Sequence, residues 1–251
     1  MNKFVKGNKE IVYATIYTLI MAVAMFTAYY ICGYSYENTG IVRVLVYFEA
    51  LMTVFAVYTY KKSGKGQAFG KLQFTGTLII YSLIMLGVFL FYLKSRAFYE
   101  NRELLSFILI TNIFVGFSEE LMYRGIVLNG LLKRYGRLKA VITSAGLFSL
   151  LHSVNVLGGF EGTAMLTQLV TTFIYGLFAG CLFLQIKSIV PLIIYHALWD
   201  TIIMSRMFIC QHPEIILLVI VMEIVIAIVL LVKMHIRPDK NLSDSQIKRS
   251  I

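Results

Sequence analysis

"FILITNIFVGFSEELMYRGIVLNGLL", residues 107–132, reads as a membrane-spanning helix with charges inside it. Apolar runs of this length cross a bilayer as helices, because about 20 residues at 1.5 Å each span the hydrocarbon layer. Glu119, Glu120 and Arg124 interrupt the run. An ionisable group at that depth costs at least about 2.5–3.5 kcal/mol on insertion scales, so each one needs a partner or a purpose.

The rest of the chain agrees with a membrane setting. Of 251 residues, 59% are hydrophobic and only 14% charged, with a mean hydropathy of +0.78. A soluble domain carries roughly a quarter charged residues. Eight apolar segments are long enough to span, at about 11–32, 41–60, 73–93, 104–132, 140–158, 163–186, 189–209 and 214–232. None alternates with period two, which argues against a barrel. Backbone groups in lipid must bond within their own segment, which leaves helices. The sequence therefore predicts an all-α membrane protein of about eight transmembrane helices. Residues 1–235 form one membrane domain, and 236–251 a polar cytoplasmic tail containing Pro238. The first run holds 22 uncharged residues, 11 to 32, without a small-residue cleavage site after it, and is expected to be a retained helix rather than a signal peptide.

The net charge of +10 invites a nucleic-acid reading, but the basic residues sit in short loops between apolar runs. That pattern reflects membrane orientation and contact with anionic lipid. With the N-terminus inside, the inner segments hold 17 of the 23 Lys and Arg and the outer ones 5, with Arg124 remaining within a helix. Both termini are thus expected in the cytoplasm. The expected partners are the lipid bilayer and a peptide, with no nucleic acid. Cys32, Cys181 and Cys210 form no CxxC pair and read as buried structural thiols.

Three stretches carry polar groups into apolar surroundings. In "EELMYR", Glu120 and Arg124 are four apart, share a helix face and can pair, while Glu119 points about 100° away. In "FSLLH", His152 is the only titratable group of its run. In "HALWD", His196 and Asp200 are four apart, so the carboxylate can accept from one imidazole nitrogen and aim the other inward. Taken singly, each could be a hydrogen bond between helices. Converging, they would supply a base for water and donors for an oxyanion, which are the requirements of peptide hydrolysis. Glu49 and Glu223 also lie in apolar runs, without a motif around them; they read as interhelical bonding or cavity lining. Arg43, near a helix end, reads as snorkelling, and Trp199 as packing.

The ordered trio resembles the EExxxR, FxxxH and HxxxN motifs of the CPBP or Abi intramembrane proteases, the CAAX prenyl protease-like and bacteriocin-processing group. The resemblance covers about residues 100–205. It implies an intramembrane or membrane-proximal endopeptidase in which Glu119 activates water and His152 assists. His196 and Asp200 would occupy the oxyanion-stabilising place, with Glu120 and Arg124 in support. Asp200 departs from the Asn of that pattern, and a carboxylate donates no hydrogen bond unless protonated. It would then orient His196 or help hold a metal. Two His and one or two carboxylates suit Zn²⁺, drawn from Glu119, His152, His196 and Asp200, but no HExxH helix is present. The cofactor is therefore Zn²⁺ or none.

The resemblance allows a bacteriocin- or pheromone-type precursor, a prenylated peptide or a small membrane protein as substrate. The expected location is a cell membrane, as a multi-pass protein of a bacterial inner membrane. Two other readings remain beside it. One is a non-catalytic immunity or scaffold protein on the same fold. The other, a transporter, is disfavoured because the two halves show no matching broken helices.

Overall fold

The computed structural model describes residues 8–63, 67–95, 100–205 and 212–236. Lys3, Lys6, Lys65, Arg96, Arg206, Cys210 and the tail from Arg237, Pro238 included, lie outside the described residues. Seven helices are long and apolar enough to cross a membrane: α1 (Lys9–Ile31), α2 (Thr39–Lys62), α3 (Gly76–Leu93), α4 (Arg102–Leu132), α5 (Arg137–Gly158), α6 (Gly162–Ile186) and α8 (Pro213–Ile236). A shorter apolar helix, α7 (Val190–Met204), lies between α6 and α8. The eight predicted segments are all present, and among the described residues the one strand-like feature is an isolated bridge from Phe69 to Ser188. The chain is an all-α, multi-pass membrane protein.

The ends of the helices meet in two groups. At one end, the 67–73 connection docks on the α6–α7 turn through Ile189 N to Ala68 O, 2.8 Å, and Gln73 N to Ile186 O, 2.9 Å. At the other, Tyr36 N donates to Gly158 O, 2.8 Å, and Arg43 at the start of α2 pairs with Glu103 at the start of α4, 3.0 Å. Arg43, expected to snorkel, thus also has a carboxylate partner. Gly159 turns with φ 77, and a Cβ there would lie 2.8 Å from the Tyr29 ring. Only glycine meets both conditions easily.

Burial ranks the helices. Half of the apolar window of α4 and of α6 is buried, against 22% for α8. The outward faces carry Leu19, Val54, Leu83 and Leu217, all well exposed, as suits side chains that meet lipid. Cys181 is buried as expected, but Cys32 is exposed; it follows the π-helical turn Thr27–Ile31 that ends α1, beyond the packed face.

Helices in lipid gain little from hydrophobic exclusion and associate where small residues let backbones approach. Two such approaches build the centre. At Gly116 on α4 a Cβ would lie 2.8 Å from Ile193 O and 3.1 Å from Ala197 N, both on α7. At Gly176 on α6 it would lie 2.9 Å from the Ala145 Cα of α5. Polar ties complete the assembly. Tyr81 of α3 donates to Glu223 of α8, 2.6 Å, and Ser82 of α3 meets the Tyr195 hydroxyl of α7 at 2.6 Å. Glu223 is therefore an interhelical anchor.

Gly116→Ala is expected to wedge α4 from α7 and cost about 1–3 kcal/mol, the range for overpacked cores. Gly87→Ala, where a Cβ meets nothing within 4 Å, should be neutral or slightly stabilising. Thermal unfolding of both variants in the same detergent checks the difference.

Candidate active site

The site is assembled on α4 where its winding changes. The α-helical part ends at Glu120, and Leu121–Leu128 is wound as a π-helix. π segments are rare and tend to occur at functional sites. The wider turn leaves carbonyls to be satisfied from outside the usual ladder. Here Ser144 Oγ of α5 donates to Tyr123 O, 2.9 Å. Asn129 Nδ2 donates to Arg124 O at 3.1 Å and Gly125 O at 3.0 Å. The sequence predicted an unbroken helix through this region; the π turn depends on these tertiary and side-chain bonds and has no local signature.

Glu120 and Arg124 are both essentially inaccessible, and Arg124 Nη1 donates to Glu120 Oε1 at 3.0 Å. The same oxygen accepts from the Tyr175 hydroxyl of α6, 3.2 Å. It also accepts from His196 Nδ1 of α7 at 3.0 Å, with the nitrogen as donor because an ionised carboxylate only accepts. The guanidinium stacks over Phe148 of α5, 4.6 Å, and Tyr175, 5.3 Å. Cation–π contacts of this kind strengthen as water is excluded.

Glu119 is equally buried but faces elsewhere. Its Oε2 lies 3.5 Å from His196 Nε2, outside hydrogen-bond geometry, and has no hydrogen-bond partner among the described residues. Asp200 Oδ2 lies 3.4 Å from the same nitrogen, and its side chain is 29% exposed, against 1% for Glu119. One imidazole therefore bridges the two roles. Its Nδ1 is held by Glu120, and its Nε2 faces Glu119 and Asp200. The orienting bond to His196 thus comes from Glu120 on another helix, where spacing alone had suggested Asp200.

His152 ends the α-helical part of α5 and begins the 3-10 turn His152–Gly158. Its ring meets Phe148 edge-on at 5.1 Å, and His196 meets the same ring at 6.0 Å. The two histidines share one aromatic neighbour, and His152 Nε2 is buried without a hydrogen-bond partner among the described residues. The other five motif residues thus gather around Phe148 and His196. Trp199 packs against the core beside them.

Glu49 of α2 is the residue whose placement the sequence did not reveal. It is buried to 1% and lies within electrostatic reach of Glu119, Asp200 and His196 and near the Ser118 hydroxyl. Its Oε2 has no hydrogen-bond partner among the described residues. Ser118 in turn lies 2.7 Å from the Tyr17 hydroxyl of α1. A lone Glu in an apolar run gives no local hint of this, since its neighbours come from other helices. Among the described residues no three His, Cys, Asp or Glu side chains gather in an arrangement that could hold a metal ion. As placed, these side chains do not converge as a ligand set for Zn²⁺.

Arg124→Met should leave the Glu120 carboxylate buried without its cation and destabilise the protein by about 3–5 kcal/mol. Removing both charges, as Glu120→Leu with Arg124→Met, should recover much of that loss, as double replacements of buried pairs often do. Unfolding temperatures of the single and double variants test this; equal stability of Arg124→Met and the parent would contradict it.

Residues 101–202 match the model of the Rce1-like family, described as type II CAAX prenyl endopeptidase Rce1-like. The matched stretch runs along α4 to α7 and contains all six motif residues, so the recognition drawn from the three motifs holds over that stretch. No curated protein matches the chain.

Proposed function

We propose that the protein is a membrane-embedded endopeptidase in which Glu119 activates water against a peptide bond. The observation that carries this reading is the division between the two adjacent glutamates. Glu120 is paired with the Arg124 cation and gathers Arg124, Tyr175 and His196 on Oε1, its Oε2 being buried without a hydrogen-bond partner among the described residues. Glu119 has no arginine partner among the described residues and holds a buried oxygen free of hydrogen bonds, 3.5 Å from an imidazole nitrogen.

In this reading, Glu119 takes a proton from water as the oxygen attacks the scissile carbonyl. The oxyanion that forms is met by the Nε2–H of His196 in its imidazolium form, since the Nδ1–H is given to Glu120, and by an imidazole N–H of His152. Neither ring needs to reorganise because both are packed against Phe148. The proton held by Glu119 then passes to the leaving amine as the C–N bond breaks. Asp200, the most exposed member of the group, stands where substrate and water would enter, and supports the His196 ring.

The substrate class is a membrane-associated or secreted peptide precursor, of bacteriocin or pheromone type, or a prenylated peptide. A site flanked by spanning helices favours a chain already at the bilayer. The setting proposed is a bacterial inner membrane.

A general base contributes typically 10²–10⁴-fold. Glu119→Gln, which keeps shape and burial, should therefore slow cleavage of a candidate leader peptide by at least about 100-fold without lowering the unfolding temperature. Peptide mass spectrometry on the purified protein, with and without chelator, reads the cut site and metal dependence together. Full cleavage by Glu119→Gln would sink the assignment. Biological activity in cells that survives this substitution would favour the non-catalytic immunity or scaffold reading.

A further inference from the structure

A second polar cavity lies at the end of the bundle that the charge distribution assigns to the cytoplasm. It has a volume of about 250 Å³ and is lined by the start of α1, the end of α2 and the end of α4 with the turn after it. Lys9, Lys62, Lys133 and Arg134 face it, with Glu10 as the one carboxylate in its wall. That carboxylate is already paired with Arg134, which also donates to Asn8 Oδ1 at 2.6 Å. The cavity is therefore left with an excess of cations around a space large enough for a phosphate group.

The walls are built rather than incidental. At Gly130 a Cβ would come 2.8 Å from Glu10 Cγ, so glycine there lets α1 close on α4. Asn129, also in the wall, spends its amide on the π-helical carbonyls of Arg124 and Gly125.

The surface next to the cavity distinguishes a lipid from a free anion. On α2, Val54, Tyr58 and Lys62 are spaced four apart and share a face. Val54 and Tyr58 are exposed at 66% and 53%, and the Lys62 ammonium lies over the Tyr58 ring at 4.8 Å. An apolar stripe thus runs along the lipid-facing side of α2 and ends in a cation at the cavity. We propose that this cavity holds the phosphate headgroup of an anionic phospholipid, with its acyl chain along the Val54–Tyr58 stripe. Lys62 contacts the phosphate from the end of α2 and Lys133 from the turn after α4. The site is separate from the glutamates and histidines of the bundle centre, and the proposal stands independently of the catalytic reading.

The test uses the full chain, purified in mild detergent and mixed with equal amounts of phosphatidylglycerol and phosphatidylcholine of identical acyl chains. Native mass spectrometry should show selective retention of phosphatidylglycerol. Lys62→Gln with Lys133→Gln should lower that selectivity by roughly 30-fold, since each basic residue near an anionic surface gives about fivefold. Lys139→Gln, which removes a cation at the same end but outside the cavity, should leave it intact. Unfolding temperature in phosphatidylcholine nanodiscs confirms that the variants fold. Equal retention of both lipids overturns the proposal, as does an equal loss in Lys139→Gln, which would mean diffuse surface attraction. Displacement of the lipid by millimolar inorganic phosphate would also overturn it, by assigning the cavity to a free anion.

Discussion

A guanidinium with almost no access to solvent governs how the centre of this protein is put together. Arg124 sits inside an apolar bundle, where an unpaired charge would cost several kcal/mol even after relaxation. Compensation comes from three other helices as well as its own. α4 supplies the carboxylate of Glu120 at 3.0 Å, while α5 and α6 supply the faces of Phe148 and Tyr175. α7 supplies His196, bound to the same carboxylate oxygen. No pair of helices could do this alone, so α4 to α7 must close together. The close approaches at Gly116 and Gly176 make the distances attainable. Small residues and a buried ion pair, features that look unrelated along the chain, are two halves of one packing solution.

The same constraint separates the roles of the adjacent carboxylates. Glu120 Oε1 collects donors from Arg124, Tyr175 and His196, which fixes the imidazole plane. Because Nδ1 is occupied, Nε2 has one direction left, and there it meets Glu119 at 3.5 Å and Asp200 at 3.4 Å. Proper placement of the candidate base therefore depends on a neighbour that does no chemistry in the proposed mechanism. A substitution at Arg124 or Glu120 should be felt at Glu119 through a single ring.

What could be read from the sequence divides along a physical line. The eight apolar segments were legible because length and hydropathy are local; each described helix falls on its predicted segment, seven of them long enough to cross a membrane and Val190–Met204 shorter. The Glu120–Arg124 pair was legible because four residues of helix bring the two side chains onto one face. Three other features depended on partners remote in sequence. The π turn Leu121–Leu128 needs Ser144 from α5. The Nδ1 of His196 is bound by a carboxylate from α4 although Asp200, four residues away in sequence, lies on its own helix. Glu49 has no motif around it, yet α2 delivers it beside Ser118 and Glu119. Cys32 was misjudged for the opposite reason: an apolar neighbourhood in sequence did not mean a packed one at a helix end.

The π-helical segment links the two polar regions of the molecule. Widening the helix displaces the carbonyls of Arg124 and Gly125 from the ordinary ladder, and buried carbonyls without donors are costly. The Asn129 amide answers both. Asn129 also lines the basic cavity at the bundle end, so the residue that bonds the carbonyls of Arg124 and Gly125 is itself part of that cavity's wall. A helical segment of a few residues separates Arg124 from Asn129. Whatever fixes the boundary end of α4 therefore also fixes the height of the ion pair in the bundle, and with it the ring that faces Glu119.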